Sequence, residues 1–353
     1  MKTSRLAFGA LAGVAFLAGC SGGGPQPSSL SPSSSVQGLP SHHLATYTSV
    51  RAPRIQPDHH KSWVSPDVKS ARHLLFISDD SSQDVYIFTM PAMQLKGTLT
   101  GFNGPQGLCT DKQGNIWVVN TGTSQGLKYS RSGHLLGSVS DPSGTPAGCA
   151  VNPTNGDLAL SETRGTSSGA GGIEIYHNGS GSPTRYSNPS QYEYFFPAYD
   201  TKGNLYVDGF SYPTFAVMIS ELPSGKHKMH TINYSGGTIG FPGGVNWDRV
   251  HGQLLVNDQE CQAVYSSCVY QLTVSGSSAT IVGFTPLNNL NGSACDVDQG
   301  TIAPFSKYFA GPCISYAYSV NSVDRWAYPS GGTSGRYNDS VVVQPIGSAI
   351  SDK

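Results

Sequence analysis

Five short apolar runs end on oxygen-bearing side chains: LLFISD on Asp79, NIWVVN on Asn120, LALSE on Glu162, LYVD on Asp208 and LLVND on Asp258. Brought to one place, such groups would hold a hard divalent cation, calcium or magnesium, through oxygen, or polarise a substrate beside it. The same residue types also end strands as water-facing Asx turns, which is their commoner use. The choice depends on the elements that carry them.

A second set of side chains suits recognition. QYEYFFPAYD and GFSYPTF concentrate aromatics, and Tyr192, Tyr194, Phe210 and Tyr212 form a candidate patch for stacking on a sugar or a partner protein. No catalytic residue can be named. GTSSG, Gly165 to Gly169, meets the GxSxG spacing but sits in a Gly/Ser-rich loop, not at a strand-to-helix elbow. No Cys/His spacing marks a zinc site.

The supporting elements follow from composition. With 43 Gly, 23 Pro and 12% charged residues in 353, turn material abounds and solvated helices are few. Short β-branched and aromatic runs bounded by Gly, Asn, Asp and Ser predict an all-β chain. A formal net charge of -1 excludes a basic surface for gripping nucleic acid.

The runs recur. Gly107–Asp111, Gly148–Asn152, Phe196–Asp200, Gly244–Asp248 and Gly292–Asp296 each place an Asp or Asn four residues after the first position, and Trp63–Asp67 is a weaker first copy. Anchors at 67, 111, 152, 200, 248 and 296 are 41 to 48 residues apart, the period of propeller blades. Behind most anchors a polar turn and an apolar run follow, and a further pair of strand-like runs completes each repeat. The expectation is a six-bladed β-propeller of four-stranded antiparallel blades, with seven blades, the last degenerate, as the alternative. Glycine at the start of an inner strand fits backbone crowding near the axis, and the anchor Asp or Asn would set the turn between the first two strands. RYNDSVVVQPIG and HHLATYTSV are spare strand candidates that would close the ring. The strand-ending acids would then share one mouth.

GPQGLCTDKQGNIWVVN and FPAYDTKGNLYVDGF resemble NHL-type repeats and the related gluconolactonase-like six-bladed propellers, over roughly Trp63 to Val320. Lactonases of that kind hold a divalent metal with Glu, Asn and Asp, the Glu lying in a Glu-Gly-Pro segment of the first blade. The corresponding SWVSPD has no Glu. The resemblance therefore implies the fold, not that metal site.

The chain opens with Lys2, Arg5, an apolar run from Leu6 to Leu17 and small residues before Cys20, the layout of a secretory signal. Leu17-Ala18-Gly19-Cys20 resembles a bacterial lipobox, which implies acylation of Cys20. Residues 1–19 are read as a lipoprotein signal peptide, 20–40 as the lipidated cysteine with a disordered Ser/Pro/Gly tether, and 41–353 as the propeller domain. The implied address is extracytoplasmic, anchored to a bacterial membrane at the outer membrane or cell surface. Cys109, Cys149, Cys261, Cys268, Cys295 and Cys313 form an even set for such a compartment. Spacing favours pairs 109–149, 261–268 and 295–313 among about 15 possibilities.

Two roles are compatible with these features. The first is a monomeric, non-catalytic module that binds a protein or glycan through its loops and mouth and needs no cofactor. The second is a metal-dependent hydrolase or lyase that uses the acidic mouth.

Overall fold

A computed structural model describes residues 61–165, 169–261, 266–314 and 321–353. The signal segment, Cys20, the tether and HHLATYTSV lie outside the described residues, as does Ser167 of GTSSG. Among the described residues no helix is long and apolar enough to cross a membrane.

The chain is all-β. Strands β1 (Trp63–Val64), β2 (His73–Asp79), β3 (Asp84–Thr89) and β4 (Leu95–Leu99) lie in the first sheet. The second holds β5 (Pro105–Thr110), β6 (Ile116–Asn120), β7 (Gln125–Tyr129) and β8 (Leu135–Ser140). The third holds β9 (Gly144–Val151), β10 (Leu158–Gly165), β11 (Ala170–Tyr176) and β12 (Thr184–Tyr186). Next come two antiparallel runs. One is β13 (Gln191–Tyr199), β14 (Leu205–Ser211), β15 (Val217–Leu222) and β16 (His230–Ser235). The other is β17 (Pro242–Asp248), β18 (Gln253–Asp258), β19 (Cys268–Ser275) and β20 (Ser278–Asn288). Parallel pairing of β16 with β20 joins them into one nine-stranded sheet, which also counts β24 (Gly332–Thr333) beside β20. A last sheet contains β21 (Thr301–Ile302), β22 (Tyr308–Cys313), β23 (Ser322–Ala327) and β25 (Arg336–Asn338). The C-terminal strand β26 (Pro345–Asp352) returns to pair antiparallel with β2.

The second strand of each run explains the packing. Leu74 and Phe76 face a cluster shared with Leu108, Ile116 and Val118, while Leu75 and Ile77 face one shared with Ala310 and Val323. Successive side chains on a strand point to opposite faces, so β2 lies between two apolar interfaces and is apolar throughout. Strand β6 repeats the pattern, with Ile116 and Val118 on one side and Trp117 and Val119 on the other, against Leu158 and Leu160. The clusters continue from β9–β12 to β13–β16, on to β17–β20, then to β21–β23, and from there back to the first sheet. Sheets stacked face to face in a closed cycle are blades, and the body is a β-propeller.

Innermost strands crowd as expected. A Cβ on Gly107 would stand 2.5 Å from the Ala147 carbonyl oxygen, and one on Gly148 would stand 2.5 Å from that of Phe195. The anchors work as predicted at four positions: the carboxylate or amide oxygen accepts N–H groups of Gln113 and Asn115 at Asp111, Thr154 at Asn152, Lys202 and Asn204 at Asp200, and Val250 and His251 at Asp248.

Both irregular copies need correction. Trp63–Val64 is not an inner strand but pairs with β4 at the outer edge, and Asp67 lies in a 3-10 turn. The inner strand of that sheet is β26, whose Pro345-Ile-Gly347 repeats the start of Pro105-Gln-Gly107. Gly292 sits in a turn at φ +76°. The inner position of the last sheet belongs instead to Gln299, whose backbone N–H donates to Ile346 O and whose side chain bonds both backbone groups of Leu108. RYNDSVVVQPIG splits between β25 and β26, and its Pro345-Ile-Gly347 opens the strand that closes the ring on β2, in line with the expectation.

The six cysteines stand in the three favoured pairs, with Cα separations of 5.6, 5.6 and 5.0 Å for 109–149, 261–268 and 295–313. The first joins β5 to β9 across a sheet interface.

The axial crowding gives a test. Gly107→Ala is expected to lower stability in urea unfolding by about 1–3 kcal/mol, because backbone, not a movable side chain, blocks the new methyl. Gly137→Ala, where nothing lies within 4 Å of the added Cβ, is expected to stay within about 0.5 kcal/mol of the parent.

Candidate functional site

Asp79, Asn120 and Asp258 end β2, β6 and β18 as expected, with bonds mostly to backbone, whereas Glu162 and Asp208 lie inside β10 and β14, each followed by three further strand residues. Asp79 accepts the N–H groups of Ser81 and Ser82 on Oδ1, and those of Val343 (2.6 Å) and Gln344 (3.0 Å) on Oδ2. Asn120 accepts from Asn103 at 2.7 Å. Asp258 accepts from Phe241 and Glu260 on Oδ1 and from Gly240 on Oδ2, each at 2.9 Å. Val343 and Gln344, Asn103, and Gly240 and Phe241 all lie just ahead of Pro345, Pro105 and Pro242, the first residues of inner strands β26, β5 and β17. The proline supplies no N–H, so the end of the second strand ties down the chain entering the first. Asp208, one residue earlier in its repeat, accepts instead from Phe196 inside β13.

Burial raises the carboxyls of Asp79, Asp208 and Asp258 above the usual range, and the bonded N–H groups pull the other way. The structure leaves Asp79, Asn120, Asp208 and Asp258 each bonded within its own part of the ring. It brings Glu162 together with two acids that sequence reasoning missed, Asp141 and Glu174, all buried and with one oxygen of each within 4.8 Å of the others. Asp141 follows β8 and Glu174 lies within β11, positions outside the strand-end pattern.

Arg185 on β12 organises this cluster. Its Nη1 bonds Glu162 Oε2 and, at 3.0 Å, Glu174 Oε1. Glycines make room for it: a Cβ on Gly172 would stand 2.8 Å from Arg185 Nη2, and one on Gly144 would stand 3.1 Å from Glu162 Cδ. Burial first, then the charge of Asp141, pushes the Glu162 carboxyl up to about 8, with Arg185 opposing. Nearby, Arg164 on β10 reaches Glu193 on β13 at 3.5 Å.

The aromatic set divides. Tyr194 is fully buried against Ala150, Leu205 and Val207, with its hydroxyl bonded to Asn188, and Phe210 packs on Phe195 and Phe241. These two belong to the core, because alternate residues of β13 and β14 must face the neighbouring sheets. Tyr192 and Tyr212 do form a surface pair, with ring centres 5.1 Å apart and Tyr212 64% exposed. Phe215 completes the group, edge-on to Tyr212 at 5.9 Å. All three lie where β13 begins and β14 ends.

No protein-family model and no curated protein matches the chain. Solved β-propellers do. The chain is similar to a structure of a nidogen/laminin complex, with TM-score 0.61 and 12% identity, covering 79% of this chain and 98% of that one. It is similar to TolB from Acinetobacter baumannii, with TM-score 0.57 and 12% identity over 82% of this chain and 68% of that one. A protein of unknown function from Bacteroides caccae gives TM-score 0.56 and 14% identity, covering 80% and 100%. At these identities the likeness is one of fold.

If the strand-end acids are backbone ties, Asp258→Ala orphans three N–H groups and is expected to cost about 1–3 kcal/mol in urea unfolding. Asp258→Asn, which keeps one acceptor oxygen, is expected to recover part of that loss.

Proposed function

We propose that the chain is a six-bladed propeller, carried outside the cytoplasm on an acylated Cys20, that binds a protein or glycan through loops on one face. The nine-stranded sheet counts as two blades here. Its halves meet through only three parallel residue pairs between outermost strands, while a separate apolar cluster packs them face to face. The resemblance of Pro105–Asn120 to NHL-type repeats supports the same count.

The observation that carries the binding role is the group of Tyr192, Tyr212 and Phe215 at the strand-end face. Tyr212 is exposed and is flanked by the half-buried Tyr192 and Phe215, and surface aromatic rings with few rotatable bonds suit stacking on a sugar or anchoring a protein contact. One of the similar structures is itself of a complex between two proteins. The hydrolase reading needs acidic oxygens free to meet a metal or substrate at the mouth, and those of Asp79 and Asp258 already accept backbone N–H groups.

A photo-crosslinking residue at position 212 of the full-length protein on cells is expected to give a discrete adduct that Tyr192→Ala diminishes. Sensitivity of the adduct to protease or to glycosidase identifies the partner class. The same residue at position 250, exposed on the β17–β18 turn at the other end of the strands, is expected to give none. Identical patterns at both sites, or no adduct at 212, would remove the proposal. Cys20→Ser is expected to move the protein from the membrane fraction to the soluble one; unchanged membrane association would contradict the anchor.

A further inference from the structure

The acid cluster of the third sheet poses an electrostatic problem. Asp141, Glu162 and Glu174 are 6%, 0% and 1% exposed. Among the described residues the cation bonded to them is Arg185, so ionising all three carboxyls together would leave an excess of two negative charges in a buried volume. Two oxygens have no hydrogen-bond partner at all: Asp141 Oδ2, whose sister oxygen accepts from Ser143, and Glu162 Oε1, whose sister oxygen is held by Arg185. The Asp141 and Glu162 carboxyls lie within hydrogen-bonding reach of each other, acceptor facing acceptor. Buried acceptors without donors are rare and call for an unseen group between them.

We propose that Asp141, Glu162 and Glu174 form a binding site for one hard divalent cation, with calcium the best match. An all-carboxylate donor set selects a hard ion, and a charge of +2 balances the local excess. Calcium tolerates irregular oxygen geometry, whereas magnesium demands a near-ideal octahedron. Arg185 serves as a positioning residue, bridging Glu162 and Glu174 so that their remaining oxygens stay turned to the ion, the part outer partners play at metal sites. The ion would tie the segment after β8 to β10 and β11, fastening the second sheet to the third. This site is distinct from the aromatic face and does not depend on it.

The full-length protein, stripped with EDTA, is titrated with Ca²⁺, Mg²⁺ and Mn²⁺ and followed by thermal unfolding. Calcium is expected to raise Tm by about 2–4 °C or more, since an ion that binds only the native state stabilises it, with one ion bound per chain by calorimetry. Asp141→Asn and Glu162→Gln are expected each to abolish the rise. Tb³⁺ supplies a readout that needs no variant: excitation of Tyr176, close enough to feel all three carboxylates, should sensitise its emission, and Ca²⁺ should quench it. A larger shift with Mg²⁺ or Mn²⁺ keeps the site and changes the ion. No shift with any of the three, or an equal shift in Asp141→Asn, overturns the proposal.

Discussion

The structure depends on strands that bury both faces. β2, β6 and β18 each send alternate apolar residues into two different clusters: Leu74 and Phe76 against Leu75 and Ile77, Ile116 and Val118 against Trp117 and Val119, Leu254 and Val256 against Leu255. Each such side chain contributes about 1.5–3 kcal/mol when removed from water, and half of that burial exists only while the neighbouring sheet is present. No sheet is therefore stable alone. Stability is shared between neighbours as in other repeat architectures, and it requires the cycle to close. Closure falls to β26, which supplies Ala349 to one cluster and Ile350 to the next.

The same constraint shapes the strand ends. Inner strands enter the crowded axis at Pro105, Pro242 and Pro345, and the chain before each must be held without help from the proline. Asn120, Asp258 and Asp79 do this through short backbone bonds. Their oxygens are engaged in the scaffold, and the proposed binding face lies in the loops beyond them, where Tyr212 stands exposed. The third sheet departs from the scheme, with Glu162 turned to Arg185 and two further acids beside it, and so does the β13–β16 run, where Asp208 holds Phe196 inside β13.

Much of the fold was legible in the sequence because it is local. A hairpin turned by Asp111, Asn152, Asp200 or Asp248 is written within about ten residues, and so is the glycine that lets inner backbones meet. The short-range pairing of Cys261 with Cys268 is of the same kind. Closure was legible only in part: RYNDSVVVQPIG stood out as a strand that could close the ring, but its partner could not be read because the pairing joins Leu74 to Ser351 across nearly the whole chain, and Trp63 and Asp67 occupied the expected place of the first inner strand. Pro345-Ile-Gly347 carried the signal, hidden by its position after the last repeat. Candidate site residues were found by type, but type does not reveal partners. Asp79 and Asp258 look like ligands in the sequence and serve as backbone ties in the structure, whereas Asp141 and Glu174, set in a loop and a third strand, have no spacing that links them to Glu162.

The central claim is that every sheet needs its neighbours and that β26 completes the cycle. Deleting residues 345–353 and following amide hydrogen exchange tests it most directly. The account predicts lost protection in β2 and also in β6 and β22, which pack against the first sheet, with recovery when a peptide of residues 345–353 is added. A truncated chain in which only β2 loses protection, while the rest exchanges as slowly as in the intact protein, would contradict it.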